Sequence, residues 1–340
     1  MTNKLAQVAF HVKDVRKAAQ DFHDVFGFGW VFLRNDELGE NIAVSDAGVV
    51  LSENVDEANL GPILGNFAGG FLTAVEIKVP DRDAVHAKLL AKGVKPIFEL
   101  WTPGGLREFY YDKTNFYDLP LVVTEYASDS FIEAIDENLE AAPEDYGVEM
   151  RWEPGYKPWS ANGKTYPDFS GTLRATTDWR VAQVAFNVSG KLDAAIKDFE
   201  EIFGFSFVKV RQDNLGEWVA VSDGGIVLSE MFDESNPSQI AGNFGGGIVT
   251  ALEIKVPNRD EVDRQARAKG IQPIFELWTP GGLREFYYDK TNFHDIPLVV
   301  TEYATDSFIE AIDENLEASP DDYAIQMRWE PGYSDWKPRE

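Results

Sequence analysis

The sequence contains no cysteine, which excludes disulfide bonds, thiolate nucleophiles and zinc sites built on thiolates. Basic residues are scarce as well, because 31 Lys and Arg stand against 58 Asp and Glu, for a formal net charge of -27. Such an acidic protein repels phosphate groups, so we expect neither nucleic acid nor a membrane surface as a partner.

Long apolar segments are also missing. No run approaches the roughly 20 residues that a membrane-spanning helix needs. The N-terminal residues contain neither the apolar stretch nor the cleavage site of a secretory signal. The sequence therefore predicts a cytoplasmic protein.

An internal repeat dominates what is present. At an offset of about 177 residues the chain matches itself without large gaps, and one 21-residue segment, PIFELWTPGGLREFYYDKTNF, recurs unchanged. The matching pairs of segments are 6–10 with 182–186, 48–53 with 225–230, 96–116 with 273–293, and 129–140 with 306–317. We expect a first domain over 1–155, a linker rich in Gly, Pro, Ser and Thr over 156–178, and a second domain over 179–340.

Each half contains a weaker rhythm of strand, helix and further short strands, which occurs twice. In the first half, strand-like alternation at 8–12 precedes helical spacing at 15–26 and a hairpin at 41–53. A second unit begins at residue 72, continues with a helix over 82–92, and ends with strands over 107–111 and 120–126. Residues 129–140 have the spacing of an added amphipathic C-terminal helix. The predicted class is α+β, with four βαβββ modules.

Two segments, AFHVKDVRKAAQDFHDVFGFG and GGLREFYYDKTN, resemble the vicinal oxygen chelate superfamily of glyoxalases, bleomycin-resistance proteins and extradiol dioxygenases. The resemblance covers roughly residues 4–126 and 180–303. It implies that two modules pair into one cupped, mixed, glyoxalase-like sheet around a pocket. It also implies that metal-using members place His, Gln or Glu at four strand positions facing the cup.

Those four positions argue against a metal ion in this chain. A glutamine stands at the first position of each half, whereas valine and alanine, which cannot bind a metal, stand at the other three. The residues are Gln7, Val50, Ala74 and Val122, with Gln183, Val227, Ala251 and Val299 in the second half. One neutral amide supplies little of the charge that an oxygen-ligated ion needs. None of the four histidines has a histidine at the equivalent place in the other half, so we expect no metal and no cofactor.

Strand alternation predicts which side chains face the pocket. If Val75 and Ile77 pack against a helix, Glu76 faces the cup, and Glu253 does so in the second half. A buried carboxylate is costly unless it is paired, and burial would raise its pKa toward the range of a general base. The alternative is that Glu76 forms an ordinary ion pair with Lys78 or Arg107.

Further candidates for the pocket lie on the other strands. The strand over 107–111 must present to the ligand either the face of Arg107 and Tyr111 or the face of Glu108 and Tyr110. Tyrosine could donate to a developing oxyanion and arginine could bind an anionic oxygen, although arginine could equally close the sheet edge. Trp101 and Trp278 lie over the pocket mouth or in the core. The complete set of candidates is Glu76, Glu253, Tyr110 and Tyr287 for catalysis, and Gln7, His11, Trp101, Arg107, Tyr111, Gln183, Asn187, Trp278, Arg284 and Tyr288 for substrate binding.

Three functions fit this pattern, each with a small organic molecule in the pocket of each half. The first is a metal-independent lyase or isomerase in which Glu76 and Glu253 move a proton next to a carbonyl. The second is a binder of the bleomycin-resistance type, which sequesters a cationic or planar drug without chemistry. The third is a metal-dependent enzyme of glyoxalase, epimerase or dioxygenase type. A homodimer is left open.

Overall fold

The computed structural model describes residues 3–63, 72–135, 148–238, 249–312 and 325–339. The chain forms two compact units, Met1–Asp178 and Trp179–Glu340. No helix within the described ranges is long and apolar enough to cross a membrane.

The first unit contains ten strands and three short helices within these ranges. The strands are β1 Lys4–His11, β2 Trp30–Asn35, β3 Glu40–Ser45, β4 Val49–Asn54, β5 Leu72–Lys78, β6 Pro96–Trp101, β7 Arg107–Tyr111, β8 Leu121–Glu125, β9 Glu149–Trp152 and β10 Gly171–Leu173. The helices are α1 Val15–Phe26, α2 Arg82–Ala91 and α3 Phe131–Ile135, with a 3-10 turn at Lys113–Asn115.

These strands form one mixed sheet in the order β10-β2-β3-β4-β1-β5-β8-β7-β6-β9. Two modules meet in its middle, where β1 pairs in parallel with β4 and antiparallel with β5. In the second module β5 likewise pairs in parallel with β8. This arrangement confirms the α+β class and the paired βαβββ modules.

The second unit repeats this plan. Its strands are β11 Arg180–Asn187, β12 Phe207–Gln212, β13 Glu217–Ser222, β14 Ile226–Met231, β15 Val249–Lys255, β16 Pro273–Trp278, β17 Arg284–Tyr288, β18 Leu298–Glu302 and β19 Gln326–Trp329. Its helices are α4 Leu192–Phe203, α5 Arg259–Ala268 and α6 Phe308–Ile312, with a 3-10 turn at Lys290–Asn292. The sheet order is β12-β13-β14-β11-β15-β18-β17-β16-β19.

Local signals explain why α1 forms where it does. The side chain of Asp14 caps its first turn by accepting from the backbone N–H of Lys17. Gly27, with φ of 72°, ends the helix in the left-handed conformation that favours glycine. The buried stripe of α1 includes Ala18 and Phe22, and Phe22 packs on Trp30 of β2 with ring centroids 5.8 Å apart. The two longer helices, α1 and α2, cover one face of the sheet, whereas Phe131, Ala134 and Ile135 of α3 pack in the buried cluster on the other face.

Residues 156–178, predicted to be a linker, lie within the first unit. Their β10 extends the sheet by pairing with β2. Trp159 packs on Gly39, where an added Cβ would lie 2.5 Å from the indole ring, and Trp336 packs on Gly216 in the same way. Of the predicted C-terminal helices over 129–140 and 306–317, the first turns are present as α3 and α6, and the remainder lies outside the described residues.

Candidate functional site

The face of each sheet that points away from the long helices, here called the cup face, has an apolar lining with polar side chains among it. In the first unit Ala9, Val50, Ala74 and Val122 belong to one buried cluster on this face. Polar residues on these strands and on β3 and β7 share the face by strand alternation, and all of them are at most 9% exposed. They are Gln7, Glu40, Ser52, Glu76, Glu108 and Thr124, with Gln183, Glu217, Ser229, Glu253, Glu285 and Thr301 at the equivalent positions of the second unit.

A cavity of about 40 Å³ lies against the cup face of the second unit, and its polar lining includes Glu217, Glu253, Glu285 and Tyr287. Glu217 is on β13 and Glu285 on β17, with four strands between them in the sheet. The sheet must therefore curl strongly for both side chains to reach one cavity.

Two buried carboxyl groups face each other in each cup. In the first unit burial, together with the negative charge and hydrogen bonding of Glu108, raises the pKa of Glu76 well above its ordinary value. Burial also raises the pKa of Glu108, to about 7. Because two neighbouring carboxylates repel each other, the pair retains at least one proton at neutral pH.

The two members of the pair are not equivalent. The hydroxyl groups of Thr124 and Tyr110 and the charge of Arg82 each lower the pKa of Glu108 and so oppose the effect of burial. Glu76 has no such stabilising neighbour among the causes of its shift. Glu108 is therefore the member of the pair that ionises more readily, and Glu76 is the member that keeps its proton to higher pH.

The second unit has the same pair with one difference. Burial and the charge of Glu285 raise the pKa of Glu253 well above its ordinary value, and burial raises that of Glu285 to about 7. Here the Nε2 of Gln183 donates to Oε2 of Glu253 at 3.1 Å. In the first unit the amide nitrogen and oxygen of Gln7 have no hydrogen-bond partner within the described ranges.

The structure brings several predicted site residues together on the cup face. Glu76, Gln7 and Tyr110 lie on adjacent or neighbouring strands, as do their equivalents. The alternative ion pair between Glu76 and Lys78 is not formed, because Lys78 Nζ donates to the carbonyl of Ser128 at 3.0 Å and lies over the ring of Tyr126.

His11 and Asn187 differ although they occupy equivalent positions. His11 is half-buried on β1, and burial lowers its pKa. The side-chain oxygen of Asn187 instead accepts from the backbone N–H of Ser189 at 2.8 Å and stabilises the turn after β11.

The prediction that Arg107 and Tyr111 line the pocket needs correction. Alternation along β7 places them on the opposite face, which carries the long helices and is here called the helix face. Arg107 lies 3.3 Å from Asp83 and 3.6 Å from Glu125, and the Tyr111 hydroxyl lies 2.8 Å from Nδ1 of His86.

The equivalent residues of the second unit are placed in the same way. Arg284 lies 3.2 Å from Asp260, and Tyr288 donates to Asp263 at 3.0 Å. The arginines and these tyrosines therefore stabilise the packing of the helices on the sheet and do not reach the cup.

Trp101 and Trp278 are also placed differently from the prediction. Trp101 shares a face of β6 with Glu99, which binds Arg82 of α2, so it too lies on the helix face. Its Nε1 donates to Glu149 of β9 at 3.2 Å, and Nε1 of Trp278 donates to Gln326 at 2.9 Å. These hydrogen bonds stabilise the pairing of the edge strands β9 and β19 with β6 and β16.

Sequence reasoning missed Glu40 and Glu217 and did not assign Glu108 and Glu285. Glu108 shares a face of β7 with Tyr110. The sequence did not determine whether this face or the face of Arg107 and Tyr111 points into the cup, so Glu108 received no role. Glu40 lies two residues before Ile42 and four before Val44, both of which pack in the cup. The alternation of that hairpin strand was the available signal.

Comparison with solved structures finds many similar chains, including the following three. A triple mutant of 4-hydroxymandelate synthase from Streptomyces coelicolor has a TM-score of 0.52 and 15% identity over 93% of this chain and 98% of its own. The Mn(II)-bound glyoxalase from Novosphingobium aromaticivorans has a TM-score of 0.50 and 15% identity, covering 88% and 81%. A catechol 2,3-dioxygenase has a TM-score of 0.51 and 11% identity, covering 89% of each chain. No protein-family model and no curated protein sequence matches this chain.

Three of the four strand positions at which the resemblance implies metal ligands carry side chains without a metal-binding atom. Val50, Ala74 and Val122 are packed in the apolar cluster and have no atom that could bind a metal. Within the described ranges, no three or more His, Cys, Asp or Glu side chains are grouped as metal ligands.

Proposed function

We propose, on the premise that the chain has the vicinal oxygen chelate fold, that each cup binds a small organic molecule and moves a proton on it without a metal ion, as a lyase or isomerase. The observation that carries the proposal is the buried pair of Glu76 and Glu108, repeated as Glu253 and Glu285. Perturbed carboxyl groups of this kind mark sites of acid–base chemistry.

The asymmetry of the pair supports a division of roles. The ionised Glu108 accepts a proton from a carbon next to a carbonyl group, and the protonated Glu76 donates a hydrogen bond to the carbonyl oxygen, where negative charge develops. Tyr110, whose hydroxyl is beside Glu108, orients that carboxylate. This differs from the expectation that Glu76 itself is the base, because Glu76 is the member that holds the proton.

The polar groups of the cup also support a reaction over simple packing. A buried carboxyl group costs free energy unless it is paired. The helix face pairs its buried charges, whereas the cup face of the second unit places three glutamates in one small cavity, and the first unit has buried glutamates at the equivalent positions. The repetition of this arrangement in both units favours a shared chemical role.

The direct test is exchange of carbon-bound hydrogen for deuterium. Small ketones, hydroxyketones and aminoketones are incubated with the full-length protein in D₂O, and NMR follows the signal next to the carbonyl. We expect exchange that the double variant Glu108→Gln with Glu285→Gln slows by about a hundredfold or more. Glu76→Gln with Glu253→Gln keeps a hydrogen-bond donor at this position, so it should slow exchange less than the Glu108 and Glu285 variant does while the protein stays folded.

The matched control changes two exposed glutamates at equivalent positions, Glu57→Gln with Glu234→Gln, and should leave exchange unchanged. Treatment with a chelator should also leave it unchanged. Equal exchange by wild type and the Glu108 and Glu285 variant would refute the proposal. Saturable binding of a probe without any exchange would instead favour a sequestering binder.

A further inference from the structure

We infer that Glu40 and Glu217 are the binding site for a positively charged group of the ligand, so that the molecule bound in each cup carries a protonated amine. The inference concerns the same cup as the proposed proton transfer and rests on it only for the identity of the pocket.

A third buried carboxyl group, that of Glu217, lies close to the carboxyl pair. In the second unit Glu217 lines the same cavity as Glu253 and Glu285, and all three side chains are at most 9% exposed. None of the residues that line this cavity, all within the described ranges, is Lys, Arg or His. The cavity therefore holds acidic groups on several strands without a cation from the protein.

The equivalent place in the first unit has an unsatisfied polar group. Glu40 is 3% exposed, and its Oε1 has no hydrogen-bond partner among the residues that the structure describes. The same holds for the buried hydroxyl of Ser52 on the neighbouring strand. Buried polar groups without partners are rare in proteins, because each one loses its hydrogen bonds to water without replacing them. A ligand ammonium group would supply both partners at once.

The arginine and lysine side chains nearest to the cups bind other groups of the protein. Arg107 and Arg284 lie on the helix face with their carboxylate partners. Lys255 Nζ donates to the carbonyl of Thr305 at 3.1 Å and lies over the ring of Tyr303, as Lys78 does in the first unit. A carboxylate or phosphate ligand would find no Lys, Arg or His among the residues that line the cavity.

The rest of the cavity suits an amine with an apolar body. Tyr287 and Phe308 line it together with Val219, Val221 and Val227. Aromatic rings attract cations at their faces, and the valines exclude water, which strengthens the interaction between an ammonium group and a carboxylate.

Binding of an ammonium ion should release protons. Burial raises the pKa of Glu40 to about 8 and that of Glu217 to about 7, so these groups are wholly or partly protonated at neutral pH without a ligand. A bound cation favours the ionised carboxylate and lowers its pKa. Protons should therefore leave the protein as the amine binds.

The experiment is isothermal titration calorimetry on the full-length protein. The probes are primary amines from methylamine to benzylamine, each compared with the alcohol and the carboxylate of the same carbon skeleton. Titrations in two buffers with different ionisation enthalpies report the protons released. We expect saturable binding of at least one amine, at least about tenfold tighter than its alcohol and carboxylate, with proton release at neutral pH.

The variant Glu40→Gln with Glu217→Gln should weaken amine binding by about tenfold or more, and the exposed control Glu57→Gln with Glu234→Gln should not. The inference is overturned if no amine binds, if a carboxylate binds as tightly, or if the Glu40 and Glu217 variant binds as wild type does. The deuterium-exchange assay on ketones without an amino group is independent, so failure of proton transfer and failure of cation binding are distinguishable.

Discussion

Buried ionisable groups are paired with opposite charges on the helix face of each sheet, but they neighbour other carboxyl groups on the cup face. On the helix face Arg82, which is 1% exposed, binds Asp83 at 2.9 Å and Glu99 at 2.6 Å, and its guanidinium stacks 4.1 Å from the centre of the Phe109 ring. On the cup face Glu76 and Glu108 are equally buried and have each other as neighbours. The ion pairs of the helix face stabilise the fold, whereas the cup face contains carboxyl groups that a ligand could contact.

The arginines of the helix face also affect the carboxyl groups of the cup face. Arg82 lowers the pKa of Glu108 through the sheet, although it belongs to the ion pairs of the helix face. In the second unit Nη1 of Arg259 donates to the backbone carbonyl of Glu285 at 3.2 Å. The charge of the helix face therefore contributes to lowering the pKa of Glu108 and Glu285, after the hydroxyl groups of Thr124 and Tyr110 and their equivalents.

The largest effect is expected on the helix face. Arg82→Met removes a buried cation and leaves Glu99 without that partner, so we expect the free energy of unfolding to fall by about 3–5 kcal/mol. Urea-induced unfolding followed by tryptophan fluorescence measures it. Arg107→Met is the control, because Arg107 is 42% exposed and its ion pairs should contribute less than about 1 kcal/mol. Equal losses for the two variants would remove the contrast between paired core charge and surface charge.

An effect of comparable size and opposite sign is expected on the cup face. The pKa of Glu40 rises from an ordinary value of 4.5 to about 8 on folding, so between these values the folded state binds more protons than the unfolded state. Stability therefore falls as pH rises through this window, by up to about 1.4 kcal/mol per pH unit.

Glu40→Gln removes this dependence. Unfolding free energies at about pH 5 and about pH 8.5 should show the variant gaining on wild type at the higher pH. An unchanged pH slope in the variant would show that Glu40 is not a source of strain in the folded protein.

The smallest effect should distinguish the two cups. Gln183 donates to Glu253, whereas the amide of Gln7 has no partner within the described ranges. Gln183→Met should cost about 1 kcal/mol and raise the pKa of Glu253 further, and Gln7→Met should be nearly neutral. Unfolding measurements on the two variants provide the comparison, and a larger loss for Gln7→Met would contradict it.

Strand alternation explains which parts of the site could be predicted from sequence. The apolar residues Val75 and Ile77 identify the helix face of β5, and alternation places Glu76 on the cup face. The segment REFYY of β7 has large side chains on both faces, so its orientation depends on pairing with β6 and β8 and was not determined by local pattern.

Contacts between distant segments account for the remaining differences. The edge strand β9 pairs with β6 from about 50 residues away in sequence, and this pairing engages Trp101 through Glu149. The segment that contains β10 has the composition of a linker, but its backbone pairs with β2. Composition could not predict either partner.

The central claim is that each cup holds carboxyl groups that keep protons at neutral pH. It is tested most directly by an NMR titration of the glutamate side-chain carboxyl carbons in ¹³C-labelled protein, with Glu→Gln variants for assignment. The account predicts that Glu108 and Glu285 titrate with pKa values of about 7, that Glu40 titrates at about 8, and that Glu76 and Glu253 lose their protons at higher pH than their partners. Titration of all these groups near the ordinary value of 4.5 would contradict it.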